Sequence, residues 1–243
     1  MTEQNPDLAF PWADDTRAYN ERLFGPGFRG WVHRGRFRWV GAQYRARCTE
    51  PVRVIEIGCF DGKTLECLDP KPSRYLGLDA NHEGGLDIAA TRWAGVEGTE
   101  FALCITANDM PTAERFDVGI SMETFEHVPE DVLDGYIDRL AEITDGFVLI
   151  TVPNEIGPIC LLKQTLKRVA LGGSQFSWSD IWNATLGRTE RIARLDHRGF
   201  NYRRLISRLR RSFRVVAVRG VPFPFLPAYL NVNVGIILEP KTR

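Results

Sequence analysis

The feature that most constrains this chain is an alternation of short apolar runs with helix signals. The runs are VRVIEIG (52–58), YLGLDA (75–80), FALCIT (101–106), FDVGISM (116–122) and GFVLITVP (146–153). Runs so short and so continuously apolar suit strands covered on both faces, and strands that alternate with helices build a mostly parallel sheet. Between the fourth and fifth runs, Pro129-Glu130-Asp131 places a proline and two acids in a first turn, ahead of Val132, Leu133, Ile137 and Leu140. After Pro153 the alternation stops. Two helical candidates, 159–171 and 179–186, joined by Gly172-Gly173-Ser174, read as an inserted cap. A helix (202–212) and two closely spaced strands (213–219 and 231–238) follow, and that spacing predicts an antiparallel finish. The expectation is one α/β domain with seven strands and helices on both faces. It has a helical leader over 1–50 with two helices split at Gly25-Pro26-Gly27, a ligand-binding core over 51–155, the cap over 156–200 and a C-terminal part over 201–243.

Composition narrows the function classes. Lys plus Arg and Asp plus Glu number 31 each, so no global field favours a nucleic-acid partner. The five cysteines form no C-x-x-C pair and are odd in number, which predicts reduced thiols and a cytoplasmic location. The polar, acidic start does not read as an export signal. The most apolar stretch, VPFPFLPAYLNVNVGIIL, is broken by three prolines and two asparagines, so no membrane span is expected.

The chemistry begins where the first run ends. Glu56-Ile57-Gly58-Cys59-Phe60-Asp61-Gly62 lies at a strand-to-helix turn, where an open α/β sheet offers its crevice. Gly58 and Gly62 allow close backbone approach to a ligand. A helix starting near Lys63-Thr64 would add free N–H groups and a positive dipole end. The spacing excludes two nucleotide motifs: G-x-G-x-x-G would need glycine at Phe60, and a P-loop would need one more residue between Gly58 and Gly62. Asp79 ends the second run, about twenty residues after the turn, where an acid can accept both hydroxyls of a ribose; it could equally cap a turn. Glu123, Glu126 and His127 form E-x-x-E-H, read as the start of a helix.

In order and spacing, VIEIGCFDG, YLGLDA, Asn108-Asp109-Met110-Pro111, FDVGISMETFEHVPE and VLITVPN resemble the class I S-adenosylmethionine-dependent methyltransferases, nearest to the ubiquinone-biosynthesis O-methyltransferase type. The resemblance covers 52–154. It implies a Rossmann-like fold and S-adenosylmethionine as cofactor. Residue by residue, it implies that Glu56 orders the loop and helps hold the methionine end, and that Gly58, Cys59, Phe60 and Gly62 wrap the cofactor. Asp79 would bind the ribose, and Asp109, beside Asn108, the adenine amino group. Met110 would cover the adenine ring, and the backbone around Met122 and Glu123 would face the methionine ammonium. The family usually has glycine where this chain has Phe60.

Three readings of E-x-x-E-H stay open. Glu126 and His127 could stabilise the loop as ion-pair partners. His127 could be the general base that takes a proton from an acceptor hydroxyl, its ordinary pKa of about 6.5 being suitable. The two carboxylates and the imidazole could hold a divalent ion, as the resemblance to ubiquinone-type enzymes suggests. His127 is the candidate catalytic residue, and a metal is left undecided.

Trp12, Tyr19, Trp31, Asn154, Trp178, Trp182, His197 and Tyr202 are candidates for the acceptor side, although each aromatic alone reads as core. Ile159, Leu162, Leu166 and Val169 form one helix face beside Lys163, Lys167 and Arg168. Packing as a lid is preferred there over contact with an anionic membrane. Arg203, Arg204, Arg208, Arg210 and Arg211 read as a solvated face or a phosphate receiver. The expected activity is methyl transfer to a small-molecule, sugar- or lipid-linked acceptor, at a hydroxyl. The alternatives are a non-catalytic cofactor-binding module and a nicotinamide-dependent oxidoreductase.

Overall fold

The protein is described by a computed structural model over residues 27–170, 176–193 and 197–241. The chain divides into two compact units, 1–34 and 35–243. The described part of the first unit, 27–34, contains the first residues of helix α1 (Phe28–Arg45), among them Trp31. Trp12, Tyr19 and the first expected leader helix lie outside the described residues. Trp39, Val40 and Tyr44 in the second half of α1 are buried, so this part of the leader belongs to the core of the second unit.

That unit is built on seven strands: β1 (Arg53–Ile57), β2 (Arg74–Asp79), β3 (Thr99–Leu103), β4 (Phe116–Met122), β5 (Thr144–Pro153), β6 (Phe213–Val221) and β7 (Asn233–Pro240). Their spatial order is β3-β2-β1-β4-β5-β7-β6. The pairs from β3 through β5 are parallel, and β7 pairs antiparallel with both β5 and β6. The mostly parallel sheet with its antiparallel finish is thus as expected.

The strand period of two divides the core into two layers. Ile55, Ile57, Leu76, Leu78, Val148, Ile150 and Val152 face helices α3 (Glu130–Ile143) and α6 (Tyr202–Ser212). Val54, Tyr75, Val118, Ile120 and Leu149 face α1, whose Trp39 indole lies so close to Gly235 of β7 that a Cβ there would meet the ring at 2.5 Å. Helix α2 (Gly85–Arg92) packs by β3. The cap contributes α4 (Gly157–Ala170) and α5 (Trp178–Thr185), joined by their own small core of Cys160, Phe176, Ile181, Ala184 and Ile192.

Two expectations need correction. The helix after β1 is only a four-residue 3-10 turn, Lys63–Glu66. Pro70 and Pro72 follow at once, and the residue before a proline is pushed out of helical geometry. The dipole argument at Lys63-Thr64 therefore fails. The third strand also ends at Leu103 rather than 106, leaving Ile105 exposed in the connection.

Candidate functional site

The strand order changes direction between β1 and β4, which is where an open α/β sheet holds its ligand. The candidate residues converge on that carboxyl-end edge. All three non-glycine residues with left-handed backbone among the described residues stand there: Phe60 (φ 47°) after β1, Asn81 (φ 56°) after β2 and Glu123 (φ 54°) after β4. Such conformations cost on the order of 1–3 kcal/mol each and persist where surrounding contacts enforce them, typically at functional sites.

At two of the three the enforcing group is Asp79. Its Oδ2 accepts a hydrogen bond from the Phe60 N–H at 2.9 Å, and its Oδ1 accepts one from the Asn81 N–H at 2.7 Å. A carboxylate offers about four acceptor positions, so two remain for ribose hydroxyls. The Phe60 ring lies against Gly85, where a Cβ would meet it at 2.4 Å. The bulky side chain at the family's glycine position is therefore turned toward the start of α2.

The two loop glycines also leave room for packed neighbours. A Cβ on Gly58 would sit 1.9 Å from Thr124 Oγ1, and one on Gly62 would meet Phe101 and Trp93 at 2.7 Å. Thr124, which the sequence did not single out, donates from Oγ1 to the carbonyls of Ile57 at 3.3 Å and Met122 at 3.1 Å, tying β1 to β4 at the crevice. Gly58→Ala combines this clash with a left-handed φ of 77°. It is expected to lower unfolding free energy by roughly 3 kcal/mol in urea titrations; a loss under about 1 kcal/mol would mean that the loop shifts freely.

Glu56 orders the loop from below. Almost fully buried, it accepts from Thr64 Oγ1 at 2.7 Å and from the Tyr75 hydroxyl. Burial pushes its pKa up to about 7, against the two hydrogen bonds that favour the charged form. Cys59 is also buried, which raises its thiol well above the ordinary range.

Asp109 Oδ2 accepts from the N–H groups of Ile105 and Thr106, at 3.0 and 2.7 Å, and so caps its own turn. These bonds lower its pKa, and both Asp109 and Asn108 are exposed. Met110 departs from expectation. Its side chain is sealed in the core with Ile57, Leu78 and Cys104, because the turn carries it inward under the sheet. It packs the floor instead of presenting a face for a ring. Met122 is buried in the opposite layer.

Around Glu123 the site becomes charged. Arg36 of α1, also missed from sequence, reaches Glu123 Oε2 at 3.7 Å, both side chains being largely buried. Asn233 Nδ2 donates to the same oxygen at 2.7 Å, while Glu123 Oε1 is buried with no hydrogen-bond partner. Such an orphaned anionic oxygen fits an ammonium. The neighbouring Glu126 is fully buried and its pKa lies well above the usual carboxylate range, first through desolvation and then through the charge of Glu123, with Arg36 opposing.

Above Glu126 the cap returns to the site. His127 Nε2 and His197 Nδ1 stand 3.9 and 3.7 Å from Glu126 Oε1, and the two imidazole centroids are 4.7 Å apart. Glu126, His127 and His197 each bring one ligand atom within 4.8 Å of the others. Glu123, a member of the expected ion-binding set, is engaged with Arg36 and Asn233 instead.

The other acceptor-side candidates disperse. Asn154 is buried, with Nδ2 donating to the carbonyls of Asn231 and Ala228, and Tyr202 lies in the core. Trp178 and Trp182 are exposed on α5. The arginines of α6 are largely paired on the surface: Arg204 with Glu190, Arg208 with Glu130 and Arg211 with Asp134. This is the solvated-face reading.

No protein-family model matches the chain. In sequence it is 30% identical over 108 residues to a ubiquinone biosynthesis O-methyltransferase of Rhodopseudomonas palustris (strain BisB18), covering 43% of this chain and 40% of the relative. The match thus spans about two fifths of that relative's length. In structure it resembles the N-methyltransferase NodS of Bradyrhizobium japonicum WM9, with TM-score 0.58, 14% identity and coverage of 87% of this chain and 97% of that one. It also resembles the Burkholderia thailandensis 1,6-didemethyltoxoflavin-N1-methyltransferase solved with 1,6-didemethyltoxoflavin and S-adenosylhomocysteine, with TM-score 0.58, 19% identity and coverage of 87% and 81%. The chain has the Rossmann-like fold of these methyltransferases and, over part of its length, is similar in sequence to the ubiquinone biosynthesis O-methyltransferases.

Proposed function

We propose that the chain uses S-adenosylmethionine to methylate a hydroxyl on a small-molecule, sugar- or lipid-linked acceptor. The observation that carries this reading is the strained rim at the carboxyl ends of β1, β2 and β4, where Asp79 holds Phe60 and Asn81 and Glu123 keeps a buried oxygen without a hydrogen-bond partner. The partial match to enzymes named as O-methyltransferases supports the choice of oxygen. The bound cofactor would supply an electrophilic methyl group on sulfur.

This chain's residues would do the rest. Asp79 would accept the ribose hydroxyls, exposed Asp109 and Asn108 would meet the adenine edge, and Glu123 Oε1 would take the methionine ammonium. The loop from Gly58 through Cys59 and Phe60 to Gly62 would wrap the cofactor, with the backbone at Met122 closing the far side. His127 would remove the acceptor proton, while in-line positioning would supply most of the acceleration. We also place the protein in the cytoplasm, a reading supported by five free thiols, four of them buried. Among the described residues no helix is long and apolar enough to cross a membrane.

The convergence of Glu126, His127 and His197 favours a second reading of the same centre, in which a divalent ion polarises the acceptor oxygen. The two readings separate in His127→Ala and His197→Ala. With His127 as base, His127→Ala should lower kcat by about 100-fold with cofactor affinity unchanged, and His197→Ala should retain most of its rate. With an ion, both variants lose activity alike and chelation silences the parent. Full activity in His127→Ala would remove His127 from either role. A nicotinamide enzyme is disfavoured, because the antiparallel β7 between β5 and β6 breaks the dinucleotide strand order.

A further inference from the structure

Of the three residues with left-handed backbone at the rim, Asp79 holds two, and the third, Glu123, is held from β5, β7 and α1. The Glu123 N–H donates to the Thr151 carbonyl of β5 at 2.8 Å, Asn233 Nδ2 donates to Glu123 Oε2 at 2.7 Å, and Arg36 Nη1 stands 3.7 Å from the same oxygen. Asn233 opens β7, which lies beyond β5 in the sheet, so the Glu123 side chain runs along the carboxyl-end edge across the end of β5. A carboxylate oxygen only accepts, and the Asn233 amide must therefore present its nitrogen. Oε2 is thereby occupied, and Oε1, buried without a hydrogen-bond partner, is the oxygen left for a ligand.

The place of Asn233 is itself built. Asn154, just after β5, donates from its N–H to the Val232 carbonyl at 2.9 Å and from Nδ2 to the carbonyls of Asn231 at 2.9 Å and Ala228 at 3.3 Å. Buried Asn231 in turn closes the connection between β6 and β7. Its Oδ1 accepts from the Phe223 N–H at 2.9 Å, and its Nδ2 donates to the carbonyls of Phe223 at 3.1 Å and Pro227 at 3.2 Å. A Cβ on Gly220 would meet Asn231 Nδ2 at 1.9 Å, so a glycine of β6 is what admits this lock. A segment pinned at 228, 231 and 232 delivers residue 233 to one position. An amide there also suits the electrostatics: a cation would neutralise the carboxylate, whereas a neutral donor fixes it and leaves its charge for a ligand.

We propose that Asn233 is a positioning residue for the amino-acid end of S-adenosylmethionine: it holds Oε2 of Glu123 so that Oε1 is preset for the ammonium. The inference rests on the cofactor reading given above.

Calorimetric titration of the full chain with S-adenosylhomocysteine and with methylthioadenosine, which keeps the adenosine and the sulfur but has no amino-acid end, tests it. In Asn233→Ala the affinity for S-adenosylhomocysteine should fall about tenfold, the scale of a lost hydrogen bond to a charged group, while that for methylthioadenosine stays within about twofold of the parent. Glu123→Ala should show the same selective loss, and adding Asn233→Ala to it should cost less than about twofold more, because the amide acts through that carboxylate. Asn233→Ser carries the same comparison should the alanine variant fail to fold. An Asn233 that merely braces the edge would weaken both ligands together. An equal loss for the two ligands, unchanged S-adenosylhomocysteine binding in Asn233→Ala, or full additivity with Glu123→Ala would overturn the proposal and leave the cofactor reading standing. A parent that binds neither adenosine ligand would overturn both.

Discussion

Asp79→Ala is expected to lower affinity for S-adenosylmethionine and S-adenosylhomocysteine by more than about 100-fold, because one carboxylate serves two ends of the site. It pins the left-handed Phe60 and Asn81 through their N–H groups, and its remaining acceptor positions are those proposed for the ribose hydroxyls. A hydrogen bond to a charged group is worth about 1.5–3 kcal/mol, so losing two from a ligand already exceeds the roughly 2.7 kcal/mol of a hundredfold change. Release of the two strained residues adds to the loss, since the loop must then be reordered on binding. Asp79→Asn keeps one acceptor oxygen and should fall between the parent and the alanine variant. Calorimetric titration with both sulfur ligands, and with NADH as a control, measures this directly. A folded Asp79→Ala protein that binds within threefold of the parent would remove Asp79 from the site. A parent that binds NADH and neither sulfur ligand would remove the methyltransferase reading.

What the sequence disclosed follows from what periodicity encodes. Strands β1, β2, β4 and β5 were legible because their apolar runs are bounded by turns, and the edge that carries the site followed from where those runs end. Periodicity assigns faces; it does not say which distant loops meet. Asn233 reaches Glu123 across 110 positions, and His197 returns from the cap to stand beside His127 across 70, a pairing on which no local pattern bears. Arg36 is one of several arginines along α1, and only its burial against Glu123 sets it apart. Met110 shows the converse limit. The motif names the position, but the direction of its side chain is set by the capped turn at Thr106 to Asp109. At α4, an apolar stripe read as a packing face proved to be solvent-exposed, because the short helix α5 covers only its other side.

Glu56 provides the second large effect, and here the sign depends on a raised pKa. In the unfolded chain a glutamate ionises near 4.5, and in the fold burial moves Glu56 to about 7. Below 4.5 the group is protonated in both states and contributes no pH dependence. Between 4.5 and 7 the folded protein holds a proton that the unfolded chain has released, so stability falls as pH rises through this window and levels off above it. One pKa unit corresponds to about 1.4 kcal/mol, which makes the full cost on the order of 3 kcal/mol. Glu56→Gln keeps an oxygen for Thr64 and removes the ionisation, so the difference in unfolding free energy between pH 5 and pH 8 should shrink by about that amount relative to the parent in urea titrations. Glu126 titrates in the same direction, which is why the comparison with the parent, and not the parent curve alone, is decisive. Parallel pH curves would mean that Glu56 is ionised at no cost in the fold. The same variant also separates the two parts of the role implied for Glu56. A side chain sealed beneath the loop and acting through Thr64 should leave cofactor affinity within a few-fold of the parent, whereas one that touches the methionine end should lose affinity together with its charge.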